Sequence, residues 1–419
     1  MRIIPVKNVD AFIPPAARKF DKKLVEKIIS EVQRKGDSAL RRFEKRFNNV
    51  DIRTLAVSKK EITNAYKAVS KEQLDAIKLA QDRLAKTELA AKKQLKEIKF
   101  TSGGIKITKS FLPLQSVGCY VPGGLARYPS SAVMSIVPAK VAGVENVTVV
   151  TPPNKQGLVD PLVLVAADVC GADAVFKVGG AHAIAALAFG TESIPRVDKI
   201  VGPGGSFVTA AKYLVSDSVA IDMLAGPTEL AVLADDSSDP KMIALDLISQ
   251  AEHSSDTRCC LITTSKKLAH SVLDEINKMI PGLQRKEIVK SSLKENGFVA
   301  LCKKTSDAIS VANKLAPEHL EVLTKDPKGI SKKIYSAGLV LLGKDTPSAA
   351  SDYLLGTNHI LPTNGFGRSR GSLSVLDFLK IQTTVQASKR ALQKIQRPLK
   401  TLTSSESLPN HYDAVRSRI

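Results

Sequence analysis

Between residues 116 and 342 short β-branched runs alternate with helical patterns, and that alternation limits the chain to few folds. The runs are Val117–Val121, Val147–Thr151, Ala174–Val178, Lys199–Val201 and Val219–Met223, then Leu230–Leu233, Cys260–Thr263, Phe298–Cys302, Leu320–Leu323 and Leu339–Leu342. Short runs separated by helix-length stretches specify βαβ units and a mostly parallel sheet covered by helices. The two series predict two successive α/β modules. No internal repeat is strong enough to mark them as duplicates.

Helical patterns flank this core. Leu24, Ile28 and Val32 recur at spacing four, and Leu74, Ile77 and Leu84 keep a common stripe, so residues 18–97 read as helical. Ser58-x-x-Glu61 and Ser70-x-x-Gln73 have the form of capping boxes opening two helices. After about residue 373 the pattern is again helical and Lys-rich, interrupted by Pro398, and a polar tail carries Glu406 and His411.

Composition narrows the function classes. A hydrophobic content of 43% suits a globular chain with a large core, and no apolar run approaches a membrane span. Met1 to Pro15 has no apolar h-region, so no secretory signal is expected. Five cysteines, two of them adjacent and none in C-x-x-C, fit reduced thiols in a cytoplasm better than a disulfide framework. The formal charge of +20 invites a nucleic-acid reading, but the lysines are dispersed and Trp is absent. A basic background or an anionic substrate field is the plainer account.

Four of the six histidines sit in polar clusters far apart along the chain: Ser249 to His253, Pro317-Glu318-His319, Asp352 with Gly356 to His359, and Glu406 with His411. Each joins an imidazole to a carboxylate or carboxamide, the inventory of a metal-dependent acid/base site. Asp239-Pro240 opens a helix whose end would bring Gln250 and His253 onto one face. Taken singly, each cluster is also an ordinary helix end, loop or tail. Glycine-rich loops follow several strands, at Pro122-Gly123-Gly124, Gly179-Gly180 and Gly202-Pro203-Gly204-Gly205, but none completes G-x-G-x-x-G. Tight βα turns account for each of them alone.

Together these strings resemble one family, histidinol dehydrogenase, from about residue 20 to the C-terminus. The shared strings are Tyr120 to Gly124, Tyr128 to Ser131, Val178 to Ala181, Ala225 to Glu229, Ser249 to His253, Pro317 to Leu320 and Gly356 to His359. The resemblance implies a fold class of α/β with two Rossmann-like, mostly parallel-sheet modules and helical N-terminal and C-terminal extensions. It implies an N-terminal arm at 1–19, a larger domain from 20–118 and 228–372, a cofactor-side domain at 119–227, and a tail at 373–419 docking on a partner subunit.

The resemblance also implies roles. Gln250, His253, Asp352 and His411 correspond to ligands of one zinc per subunit, the last lent by the partner in a homodimer. Glu318 and His319 match the catalytic pair. Thr228, His359 and Glu406, with His319 and the zinc ligands, match substrate contacts. Tyr120, His182 and Gly205 match contacts to NAD, but relatives usually have Gln where this chain has His182 and Asn where it has Gly205. The implied reaction is the two-step, NAD-dependent oxidation of L-histidinol to L-histidine through bound histidinal, in the cytoplasm. The rivals are a paralogous dehydrogenase of another small alcohol and an inactive zinc- or nucleic-acid-binding relative.

Overall fold

A computed structural model describes residues 1–6, 9, 21–123 and 127–419. Most of the expected arm at 1–19, and Gly124 of the first glycine-rich loop, lie outside the described residues.

Asp21 opens α1 (Lys22–Phe43) by accepting a hydrogen bond from Leu24 N at 3.0 Å. Val25, Ile28, Val32 and Leu40 are buried along its inner face. α1 passes directly into one π-helical turn, Glu44–Asn48. α2 (Lys59–Ala68) and α3 (Lys71–Lys93) start at the two expected capping boxes, in which Ser58 and Glu61, and Ser70 and Gln73, satisfy one another's backbone amides.

Three strands precede the first module: β1 (Arg2–Pro5), β2 (Ile98–Ser102) and β3 (Ile105–Pro113). The module itself runs β4 (Ser116–Tyr120), α4 (Pro129–Ala142), β5 (Asn146–Thr151), α5 (Pro161–Val169), β6 (Ala174–Lys177), α6 (Gly180–Phe189), β7 (Lys199–Val201), α7 (Ser206–Val215) and β8 (Ala220–Ile221). All its strands are parallel, in the order β6-β5-β4-β7-β8. From β4 the chain moves outward one way and then crosses to the other side, the doubly wound arrangement. α1 packs on α6 and α7, α2 on α5, and α3 on α4. The helices of 20–118 therefore belong with this sheet, not with 228–372 as expected. Their apolar stripes are buried against α4–α7.

The second module contains β9 (Glu229–Ala234), α8 (Pro240–Ala251), β10 (Arg258–Thr263), β11 (Phe298–Leu301), β12 (His319–Leu323) and β13 (Leu339–Leu342). It repeats the winding of the first, β11-β10-β9-β12-β13, with β1 added in parallel on β11. The chain's first strand is thus an edge of the second module rather than part of a free arm.

The third sheet was not expected. β2, β3 and β14 (Leu379–Ala387) form an antiparallel unit, followed by helices Lys389–Ser405 and Pro409–Arg416. So the segment after 373 runs through a short 3-10 turn (Val375–Phe378) and a strand before it is helical, and Pro398 lies inside a continuous helix rather than interrupting it. β2 and nearly all of β14 are exposed, so little burial distinguishes their two faces. Among the described residues no helix is long and apolar enough to cross a membrane.

Candidate active site

Residues 222–228 join the end of β8 to the start of β9. A link of that length spans at most about 25 Å. It ties the C-terminal ends of the first sheet to the N-terminal ends of the second. A cavity of about 310 Å³ lies where they meet. Pro122, Tyr128, Pro203, Gly204 and Gly205 line it from the first module, and Thr228, His253, Glu318, His319, Asp352 and His359 from the second.

The acid/base pair sits at the entry to β12, beside the entry to β9. His319 pairs with Leu230 in register, which sets Glu318 next to Glu229. The two glutamates exchange backbone contacts: Glu229 N donates to Glu318 Oε2 at 2.8 Å and Glu318 N to Glu229 Oε2 at 3.3 Å. Thr228 Oγ1 donates to the same Glu318 Oε2 at 2.6 Å and accepts from Gln250 Nε2 at 2.7 Å. Burial raises the Glu318 carboxyl to about 7, against the pull of His319 and Thr228. Glu229, a partner that sequence reasoning passed over, is also raised by burial and is tied to Arg258 Nη1 and Asn364 N. Its one signal was adjacency to Thr228.

His319 Nδ1 donates to Glu229 O at 3.2 Å, which turns Nε2 toward Asp352 Oδ1, also 3.2 Å away. Burial opposes the imidazolium, but Glu318 and Asp352 outweigh it and raise His319 to about 9. The loop after Asp352 is folded by its own polar groups. His359 Nδ1 donates to Asp352 O at 2.7 Å, and Asn358 Nδ2 to Met134 O of α4 at 2.7 Å. His359 Nε2 is left as its free ring nitrogen.

Gln250, His253 and Asp352 have the chemistry of cation donors. α8 opens at Asp239-Pro240 as expected and ends at Ala251, so His253 lies just beyond it, its amide on Gln250 O at 3.2 Å. Burial lowers His253 and keeps its imidazole neutral. Burial would raise Asp352, but His319 holds it below the usual carboxylate range. Gln250 is buried and its amide nitrogen is spent on Thr228, so Oε1 is its available donor. Asp352 Oδ1 and His319 Nε2, though close, lack an aligned hydrogen-bond partner. Two buried polar atoms in that state suit a ligand set completed by a bound group. Among the described residues no three His, Cys, Asp or Glu side chains converge on one point. An amide-containing set accommodates that.

Other expected residues lie elsewhere. Glu406 caps the helix Lys389–Ser405 and His411 sits on Pro409–Arg416; both are exposed and neither lines the cavity. Gly205 reaches the cavity, but Tyr120 and His182 are buried behind it, 5% and 2% exposed.

Fold and site together define a two-module α/β enzyme with an acid/base cleft between its sheets. The histidinol dehydrogenase family model matches residues 16–419. A histidinol dehydrogenase of Clostridium acetobutylicum is 43% identical over 397 residues, 94% of this chain and 92% of that one. One from Methanocaldococcus jannaschii is 42% identical over 395 residues, with the same coverage. The crystal structure of histidinol dehydrogenase from Elizabethkingia anophelis superposes with a TM-score of 0.94 at 33% identity, covering 100% of this chain and 97% of that one. The chain belongs to the histidinol dehydrogenase family, oxidoreductases of histidine biosynthesis.

Proposed function

We propose that this protein oxidises L-histidinol to L-histidine in two NAD-dependent steps through bound histidinal, as a cytoplasmic homodimer with one zinc per subunit. The observation that carries this reading is the chain of direct contacts through Thr228, Glu318, His319 and Asp352, which all line one cavity, with Gln250 hydrogen-bonded to Thr228, in a chain of this family. Gln250, His253 and Asp352 would hold the zinc, with His411 of the partner completing the set. When bound, zinc supplies a Lewis acid that seats the substrate, and NAD takes the hydrides.

The chain's own groups handle the protons. Glu318 Oε2 is occupied by Thr228 and Glu229 N, so Oε1 is the oxygen left to draw a proton from water near neutral pH. His319 Nδ1 is committed to Glu229 O, so Nε2 alone can exchange a proton with the alcohol. To accept that proton His319 has to be neutral. Were Asp352 to hold a cation, one of the two charges that raise His319 would be withdrawn. The alcohol loses a proton and a hydride to give the aldehyde. The hydrated aldehyde loses a second such pair to give the carboxylic acid, which releases a further proton to become the carboxylate. His359 Nε2 and Glu406 of the partner are assigned to the substrate. A steady-state assay with histidinol and NAD, with and without a chelator, tests this. NADH formation that the chelator abolishes is expected, and its absence from untreated protein overturns the reading.

A further inference from the structure

The resemblance places His182 against the cofactor, yet its side chain is buried and points the other way. The imidazole Nε2 is 2.8 Å from Oε1 of Glu44, a carboxylate with no exposed surface. Phe43 and Phe47, stacked on each other at 5.6 Å, lie 5.5 and 6.2 Å from the imidazole. Glu44 occupies the first position of the π-helical turn that ends α1. Such turns re-aim side chains, and here a carboxylate enters the interior.

A buried carboxylate is costly unless donors surround it. Glu44 Oε1 accepts from His182 and from Gly179 N, each at 2.8 Å, and Oε2 accepts from Asn48 Nδ2 at 2.5 Å. Burial would raise Glu44, but His182, Asn48 and Gly179 hold it below the usual carboxylate range. The pair therefore grips the Gly179-Gly180 turn from behind. In front of it, Gly180 N donates to the Tyr120 hydroxyl at 3.1 Å. The turn has no slack. A Cβ on Gly179 would stand 2.5 Å from Pro152 Cβ, and Gly180 sits at φ +60. Gly123 meets the same Pro152, with a Cβ there 2.8 Å from its Cγ. The ends of β4, β5 and β6 are thus locked together, and Tyr120 stands at the edge of the β4/β7 crevice, where a doubly wound sheet takes its ligand.

We infer that Glu44 and His182 are positioning residues for the dinucleotide: they fix the Gly179-Gly180 turn and, through it, Tyr120, without touching the cofactor. This rests on the NAD-dependent reading of the site. It also explains how a histidine stands where relatives carry glutamine: either side chain can present an N–H to Glu44.

The test uses the full-length metal-loaded protein with H182A, E44Q, H182Q and the H182A/E44Q double variant. Kd for NAD and KM for NAD and histidinol are measured, with hydrogen exchange across residues 177–183. H182A and E44Q are expected to weaken NAD on the order of tenfold, the scale of one hydrogen bond to a charged group. kcat and the KM for histidinol stay within about twofold, since the chemistry lies at the other sheet. Exchange of the turn rises in both. H182Q restores NAD binding, and the double variant is no worse than either single change, because the two residues act as one unit. Unchanged NAD affinity in H182A, or an E44Q protein that binds NAD normally while H182A does not, overturns the inference; the second result would make His182 a direct contact. Wild-type protein that binds no NAD defeats the proposed function instead. The exchange data then still decide whether the pair fixes the turn, and unchanged exchange in both single variants refutes it.

Discussion

The two large sheets wind the same way and face the cavity with opposite ends. In the first, β4 and β7 are neighbours and the cavity lies beyond their C-terminal ends, at Pro122 and Pro203–Gly205. In the second, β9 and β12 are the equivalent neighbours, but the cavity lies before their N-terminal ends, at Thr228 and Glu318-His319. The short passage from β8 to β9 forces this. On the proposed function, opposed ends would divide the chemistry between the sheets. The C-terminal ends bring glycine turns, suited to a ligand that must approach backbone. The N-terminal ends bring side chains held by in-register neighbours, suited to proton transfer.

The largest test of that division is Glu318→Gln. It is expected to slow oxidation of histidinal by roughly 10²–10⁴-fold, the range for losing a general base, and oxidation of histidinol by less. Separate assays of the two half-reactions check this, and equal losses would defeat the split between Glu318 and His319. A second test asks whether either sheet completes the site. His411→Asn should lose zinc, measured as bound metal per subunit. Mixed with Glu318→Gln subunits, it should recover about a quarter of wild-type sites, since half the dimers are mixed and each mixed dimer holds one intact pairing. No recovery would mean that the tail serves its own subunit.

The ion pairs of the two modules should also differ. Lys212 and Asp222, both buried, are joined directly, and Asp222 also holds Gly202 N at 2.8 Å. Lys212→Met leaves that buried carboxylate without its cation and should cost about 3–5 kcal/mol in denaturant titration. Arg258, more exposed and 3.2 Å from Glu229, should cost less when changed to Met. A smaller contrast appears in pH. Glu318 rises from its ordinary 4.5 to about 7 on folding, so the folded chain binds more protons across that window. Its contribution to stability falls as pH rises from about 4.5 to 7. Glu44 is shifted down, so its contribution is present above 4.5 and is lost as pH falls through its lowered value. In metal-stripped protein, thermal midpoints of Glu318→Gln and Glu44→Gln against wild type should therefore diverge in opposite senses. Parallel curves would refute the contrast.

How far the sequence carried depends on burial. The run at Lys199–Val201 coincides with β7 because a strand buried within a parallel sheet reads as an apolar run, and Leu339–Leu342 coincides with β13, which keeps that apolar pattern at the sheet's edge with only Leu341 buried. The third sheet lacks that mark: Ile98, Phe100, Ile381 and Val385 are each more than half exposed. Its one local sign was Gly103-Gly104, two glycines at positive φ closing the β2–β3 hairpin. β1 is four residues whose partner β11 lies nearly three hundred residues on, a pairing no local pattern can announce. In the site, His253, His319 and His359 from three of the four histidine clusters line one cavity, because scarce polar groupings stand out from the apolar pattern, whereas His411 of the fourth does not reach it. Glu229 was missed because nothing local separates a glutamate that braces another from one on a surface. His182 was read toward the cofactor by resemblance. Its hydrogen-bond partner in the structure, Glu44, comes from the π-turn that follows α1, which apolar periodicity does not reveal.

The finest test falls on Gly205, the cap of α7 and the one position of the cofactor-side trio that lines the cavity. Its φ of −65 is open to any residue, and a Cβ there meets nothing within 4 Å. Gly205→Asn installs the residue that the family resemblance leads one to expect there and supplies a good helix cap, worth roughly a few tenths of a kcal/mol over glycine. Stability should rise by that amount, the KM for NAD should fall and the KM for histidinol should not move. Gly202→Ala is the counterpart: at φ +111 its Cβ would run into the Tyr120 carbonyl, so the same crevice should be damaged. If Gly205→Asn stabilises the chain and leaves the KM for NAD untouched, the C-terminal ends of the first sheet do not border the cofactor. The two sheets would then share a winding without sharing out the chemistry.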